Sequence, residues 1–235
     1  MLSVIIPTYN EGKYLPLLLS SLRNQTFKNF EIIVADARSK DRTRTIAEKA
    51  GCRVVEGGLP ACGRNKGAAA AKGEWLLFLD ADVILPVDFL DKAMKEIKRR
   101  DLDVASAPIQ PLSDKKIDKI FHEAYNVYAK ATTMVYPHAP GFCIFAKKKI
   151  HRAIGGFDES LKLAEDHDYV ARAGRVGKFR ILKSVRIPVS VRRFDRDGRT
   201  KIAIKYLACE AHRLLLGPVS TDIFNYKFGH TKSRK

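Results

Sequence analysis

Four short apolar runs in the first hundred residues, each followed by a stretch of helical character, leave this chain few ways to fold. Residues 3–8 and 30–35 are β-branched and apolar, 52–55 is a shorter run, and 75–79 is continuously apolar. Between them, 13–24 carries Leu15, Leu18, Leu19 and Leu22 on one helical face. Residues 41–50 open on Asp41, a helix-capping type, 63–72 is Ala-rich, and 87–99 is helical in pattern. This alternation predicts an α/β fold with a mostly parallel, doubly wound sheet and helices on both faces. The second half is less regular. It predicts strands over 103–109 and 142–146, an extended stretch over 180–191, and helices over 114–133, 147–154, 163–176 and 201–216. No Pro/Gly/Ser-rich linker divides the halves, so one domain with an extension is expected.

Composition narrows the classes. With 235 residues and 46% hydrophobic content the chain has enough material for one sizeable core. Internal repeats are absent, and the only biased tract is the basic Lys232, Ser233, Arg234 and Lys235. Cys52, Cys62, Cys143 and Cys209 form no CxxC pair, which suits reduced thiols in a cytoplasmic protein. Met1, Leu2 and Ser3 lead straight into the first apolar run, so no signal peptide is expected. No apolar stretch approaches the ~20 residues of a membrane span, which predicts a soluble or peripheral protein. The net charge of +17 favours anionic partners: phosphates, anionic lipid or nucleic acid. It gathers at Lys98–Arg100, at Lys147–Lys149 and at Arg192, Arg193 and Arg196.

In open α/β sheets, ligands bind beyond the carboxyl ends of the strands. The first strand ends in Pro7, Thr8, Tyr9, Asn10 and Glu11, the second in Asp36, and the 75–79 strand in Asp80, Ala81 and Asp82. A positive protein that gathers carboxylates at one edge is expected to hold a cation there. Asp80 and Asp82 offer hard oxygen ligands suited to Mg²⁺ or Mn²⁺. Two carboxylates make a weak site alone, so a diphosphate would complete it. An Asp-x-Asp pair can equally cap the following helix; its position after a buried strand favours the metal.

These residues carry a resemblance. The 3–11 segment, Phe30 to Asp36, Gly63-Arg64-Asn65-Lys66-Gly67 and Leu79-Asp80-Ala81-Asp82 resemble glycosyltransferase family 2. Gly155-Gly156-Phe157-Asp158-Glu159 and Ala164-Glu165-Asp166-His167-Asp168 are similar to its acceptor-side pattern, so the likeness covers about residues 3–193. It implies a GT-A fold, Rossmann-like, with residues 1–110 binding a nucleotide sugar and 111–235 forming an acceptor half and C-terminal helix. It also implies inversion at the anomeric carbon. By resemblance, Pro7, Tyr9, Glu11 and Asp36 line the base and ribose, and Arg64 sits beside the nucleotide near a helix N-terminus. Asp82 is the main metal ligand, with Asp80 nearer ribose or metal. Many members carry a second acid after the position of Asp36, where this chain has Ala37. A UDP-sugar is the base-rate donor, and a GDP-sugar stays open.

Transfer to a hydroxyl needs a base. The resemblance makes Asp166 that base and Glu165 its neighbour in acceptor binding, with Gly141 on the acceptor loop. Capping of the 163–176 helix is the bland alternative for the two acids. Asp168 is four residues from Arg172 and is expected to pair with it. Arg193, with Arg192, is expected to close over the diphosphate; a solvated basic loop is the alternative. His138 is read as structural or exposed rather than as a metal ligand, and Cys143 as no nucleophile. The acceptor would be a glycan or a polyprenyl-linked molecule. The 201–216 segment mixes Ile202, Tyr206, Leu207 and Leu214 with Lys201, Lys205 and Arg213. It reads as a helix packed on the core or one lying on the anionic inner face of a membrane. Two other classes compete. A nucleotidyltransferase would place a Gly-rich basic loop where this chain has Pro7 to Glu11. A nucleic-acid-binding module would fit the charge but shows no zinc spacing or RNA motif, so no nucleic acid is expected.

Overall fold

The computed structural model describes residues 1–161 and 163–216. The basic residues 232–235 lie outside this description, as do the side chains of Arg213 and Leu214. The first half runs β1 (Leu2–Thr8), α1 (Leu15–Arg23), β2 (Phe30–Asp36), α2 (Thr43–Lys49), β3 (Arg53–Glu56), α3 (Pro60–Ala70), β4 (Trp75–Leu79) and α4 (Phe89–Arg99). The second half runs β5 (Val104–Ser106), β6 (Ile109–Leu112), α5 (Lys116–Thr132), β7 (Cys143–Lys147), α6 (Lys148–Ala153), α7 (Glu165–Val176), β8 (Phe179–Ile181), β9 (Ile187–Ser190), α8 (Arg192–Asp197) and α9 (Arg199–Leu216).

Seven strands form one sheet in the order β3-β2-β1-β4-β7-β5-β8. All pairings are parallel except those of β7, which runs antiparallel to both β4 and β5. The topology explains this exception. The chain leaves β5 at the carboxyl edge, stays there through β6 and α5, and re-enters from the same edge, so β7 must run backwards.

The single strand expected over 103–109 is two strands. Pro108 has no N–H to continue a ladder, and the chain bends out of the main sheet. The extended stretch 180–191 divides likewise: the Glu96 carboxylate captures the Lys183 and Ser184 N–H groups between β8 and β9. The two outgoing pieces, β6 and β9, pair parallel in a small second sheet. An antiparallel bridge between Val189 and Val83 then sets β9 beside the Asp82 loop.

Side-chain alternation sorts the core. Leu2, Val4 and Ile6 of β1 pack with Leu15, Leu18 and Leu22 of α1 and Phe89, Leu90 and Ala93 of α4. Ile5 points to the other face, with Ala61 and Ala68 of α3, Ile150 of α6 and Tyr169 and Val170 of α7. Each fully buried large side chain contributes about 1.5–3 kcal/mol. The helix over α3 lies unusually close to the sheet, because a Cβ on Gly67 would sit 2.3 Å from Ile5 Cγ2. Asp41 does act at the start of α2, accepting the Thr43 N–H at 2.9 Å. The four cysteines are free, with Cys143 and Cys209 buried.

Candidate active site

The sheet order turns around between β1 and β4, and the loops beyond those strands form one rim. Asn10 adopts a left-handed conformation, φ 56°, which turns the chain sharply after β1. Its N–H donates to Ser39 Oγ and its Oδ1 accepts from the Lys40 N–H, both at 2.8 Å. The Glu11 N–H donates to Thr43 Oγ1 at 2.8 Å. The loop after β2 therefore holds the loop after β1. Asp36 is the post of this clasp: it is buried, and its oxygens accept from Thr8 Oγ1, Ser39 Oγ and the Ser39 N–H. Pro7 is half-buried and Tyr9 is exposed above it.

Beyond β4, Asp80 and Asp82 diverge. Asp82 is deep in the rim, and its Oδ2 accepts from Arg192 Nε at 2.8 Å. The same guanidinium donates twice to the carboxylate of Glu11, at 2.7 and 2.8 Å, and lies over the Tyr14 ring at 4.5 Å. Burial first, then repulsion from Asp80 and Glu11, pushes the Asp82 carboxyl up to about 6 against the pull of Arg192. One guanidinium thus sits between the Glu11 and Asp82 carboxylates, and Asp80 is near enough to act on Asp82 through its charge. Arg192, not Arg193, makes these pairs. Arg193 donates to Tyr206 at 3.1 Å and stands near enough to help hold Asp82 charged. Both arginines lie on α8, where a loop was one expectation.

Arg64 joins the two sides of the site. Helix α3 begins at Pro60, three residues before the expected start, so Arg64 lies in its second turn and is buried rather than at the helix mouth. Its Nη2 donates to Asp80 Oδ1 at 2.9 Å and its Nη1 to Glu165 Oε1 at 2.7 Å. Burial alone would lower its pKa, but Asp80, Glu165 and Asp166 more than offset it. Glu165 opens α7 and is buried; desolvation and the neighbouring Asp166 raise its pKa against the effect of Arg64. Asp166 accepts the Gly141 N–H at 2.5 Å and the His167 N–H at 2.8 Å. A Cβ on Gly141 would meet Arg64 Nη2 at 2.3 Å, so this loop fits only because residue 141 lacks one.

A second clasp holds the turn before α7. Asn65 Nδ2 donates to the Phe157 carbonyl and Asn65 Oδ1 accepts the Phe157 N–H, both at 2.8 Å. Gly155 and Gly156 have φ of 72° and 76°, and this left-handed turn delivers Phe157 beneath Arg64 at 5.3 Å. Asp168 pairs with Arg172 as expected, at 2.7 Å, and Arg172 also binds the Ile154 and Gly156 carbonyls.

The structure therefore gathers Glu11, Asp80, Asp82, Arg64, Glu165, Asp166 and Gly141 around one rim, with Asp36 serving the loops beneath. The sequence reading missed Asn65 as a clasp, Ser39 as the partner of Asp36, Tyr14 beside Arg192, and the primacy of Arg192. The arginine doublet itself was the available signal. His138 is buried and stacked on His167 at 5.4 Å between ring centres. Burial raises the Cys143 thiol pKa, so no reactive thiolate is offered. Among the described residues, no group of three or more His, Cys, Asp or Glu side chains converges to hold a metal ion.

A family model described as Glycosyl transferase family 2 matches residues 3–155. An uncharacterized glycosyltransferase of Haemophilus influenzae is 30% identical over 198 residues, covering 73% of this chain and 61% of that protein. A Rickettsia typhi relative is 30% identical over 184 residues, covering 72% and 57%. The chain thus spans about three-fifths of the length of these curated relatives. Among solved structures, Staphylococcus aureus TarS in complex with UDP superposes with a TM-score of 0.66 at 25% identity, over 81% of this chain and 60% of that one. A Pyrobaculum calidifontis mannosyltransferase in complex with GDP-Man and Mn²⁺ shares the fold, with a TM-score of 0.67 at 22% identity, over 80% and 56%.

Proposed function

The chain belongs to glycosyltransferase family 2, and on that premise we propose that it is a metal-dependent, inverting enzyme that moves a sugar from a nucleoside diphosphate sugar to a hydroxyl. The observation that carries this reading is the Arg64 bridge: one buried guanidinium binds Asp80 on the metal side and Glu165 on the acceptor side. It fixes the distance between the place where a diphosphate departs and the place where a hydroxyl loses its proton.

The carboxylates fit a divalent cation. Burial first, then repulsion from Asp80 and Glu11, raises the Asp82 carboxyl, a bound cation would offset that repulsion, and Asp80 is 40% exposed and able to reach a ligand. Asp82 and Asp80 would hold Mg²⁺ or Mn²⁺, completed by diphosphate oxygens. When bound, such an ion supplies Lewis-acid stabilisation of the leaving charge. Arg192, with Arg193 outside it, supplies positive charge at the same place. Pro7, Tyr9, Glu11 and Asp36 form or support the nucleotide wall. TarS with UDP and the mannosyltransferase with GDP-Man support the donor class, a nucleoside diphosphate sugar; Ala37 removes one acid that would favour uridine.

On the acceptor side, Asp166 takes the hydroxyl proton. The Gly141 and His167 N–H groups hold its carboxylate in place. Glu165 and Gly141 shape the acceptor pocket. In-line attack by that hydroxyl inverts the anomeric centre, and no protein nucleophile is required. The test is Asp166→Asn. Release of nucleoside diphosphate should fall about 10²–10⁴-fold, while stabilisation of the fold by donor and Mn²⁺ persists. Near-normal turnover in this variant would refute the assignment, and release of pyrophosphate by the wild type would point instead to nucleotidyl transfer.

A further inference from the structure

Helix α5 is packed the wrong way round for a helix that only covers a sheet. Its buried positions include Asp118 and Asn126, and both are fully used: Asp118 pairs with Arg199 at 2.7 Å and Asn126 exchanges hydrogen bonds with the Ile109 backbone. The opposite side is apolar and faces water. Ile117, Ile120, Phe121 and Val127 are 41%, 61%, 36% and 62% exposed, and with Ala124 they recur at helical spacing. The stripe runs about 15 Å along the helix axis, and beyond it Met134 and Val135 are 68% and 91% exposed.

Helix α9 extends this surface. Arg199 binds Asp118, and Glu210 accepts from Tyr128 at 2.7 Å, so α9 lies alongside α5 and parallel to it. Ile202 and Cys209 face the protein, while Ile204 and Leu207 are 61% and 71% exposed. The inner face of this helix therefore packs on the protein, as one expectation had it, and its outer face is left uncovered. Lysines flank the apolar surface: Lys116, Lys119 and Lys130 on α5 and Lys201 on α9, all exposed. Glu123, on the same flank, is already paired with Arg186 at 2.6 Å.

We propose that the outer faces of α5 and α9 dock on an anionic lipid bilayer, with the apolar stripe entering the headgroup boundary and the flanking lysines meeting lipid phosphates. An amphipathic face rimmed by lysines is the pattern such surfaces bind. A second copy of the chain fits less well, because face-to-face pairing sets these lysines against their own kind in a protein of net charge +17. The face adjoins the acceptor side, since His167, next to Asp166, lies 4.0 Å from Glu210 of α9. The docking does not depend on which reaction the site performs.

The test is co-sedimentation of the whole chain with vesicles of phosphatidylcholine, with and without phosphatidylglycerol. Binding is expected to the anionic vesicles at low salt and to weaken at roughly 0.5 M salt, where screening acts over about 4 Å. Replacing Lys119 or Lys130 by alanine should weaken it about fivefold each at low salt. Ile120→Glu with Val127→Glu should reduce it at least about tenfold, with an unchanged thermal midpoint because both positions are already in water. Absence of vesicle binding in the wild type overturns the proposal. So does full binding by the double variant, or a dimer on size exclusion that the double variant dissolves while vesicles remain bare.

Discussion

Replacing Arg64 by methionine isolates the central ion-pair arrangement. Arg64 and Glu165 have side chains only 4% and 10% exposed, so removing the cation strands a carboxylate out of water. Breaking a buried pair in this way costs about 3–5 kcal/mol. Asp80 adds little, because at 40% exposure solvent screens it. For a chain of this size the loss corresponds to a melting point lower by roughly 6–20 °C. The loss should also depend on pH. Burial and Asp166 already raise the Glu165 carboxyl above its unfolded value, and losing Arg64 raises it further. A carboxyl raised in the folded state takes up a proton more readily there than in the unfolded chain. Stability is therefore recovered as pH falls toward the unfolded carboxyl pKa, and the deficit is full above the raised folded value. Urea unfolding followed by circular dichroism at pH 8 and pH 5.5 reads both effects. Arg64→Met/Glu165→Gln should recover much of the deficit at pH 8, since removing both charges costs less than removing one. A loss below about 1 kcal/mol, or one equal at both pH values, would refute the claim that a buried charge pair spans the site.

Other consequences can be checked independently. Burial first, then repulsion from Arg172, Lys148 and Arg152, depresses His151 to about 4 from 6.5. It favours the folded state fully above pH 6.5 and loses about 3 kcal/mol as pH falls through 4, so His151→Gln should flatten the stability decline over that window in urea titrations. Gly67→Ala drives a methyl into Ile5 Cγ2 and should cost about 1–3 kcal/mol in the same assay. Arg192→Ala should weaken nucleoside diphosphate binding about tenfold to a hundredfold by calorimetry, because it removes charged hydrogen bonds at the acid cluster. Arg193→Ala, one position further out, should weaken it several times less.

Much of the first half was legible in the residues. Short β-branched runs of Val and Ile bounded by polar turns favour buried strands, and the leucines of α1 share one face only on a helix. The strand ends at Glu11, Asp36 and Asp80 then follow from chain order, because parallel strands deliver every carboxyl end to one edge. Local signals reached the second half less well. The pattern over 103–109 is apolar enough for one strand, and only the pairing of β6 with β9 shows why the chain leaves the sheet at Pro108. Helix α8 is too short and too polar to announce itself.

The sequence by itself determined the α/β alternation, the rim of acids beyond the strands, and the short-range Asp168–Arg172 pair, since each depends on neighbours within a few residues or on strand order. The partners of the long-range charges were decided by the tertiary structure alone. Arg64 is 101 residues from Glu165, and Arg192 is 181 from Glu11. Charge has no sequence period, so nothing local distinguishes a buried arginine from a solvated one. Only the close approach that Gly67 permits between α3 and β1, and the parallel pairing that draws β9 to the Asp82 loop, fixed which cation met which acid.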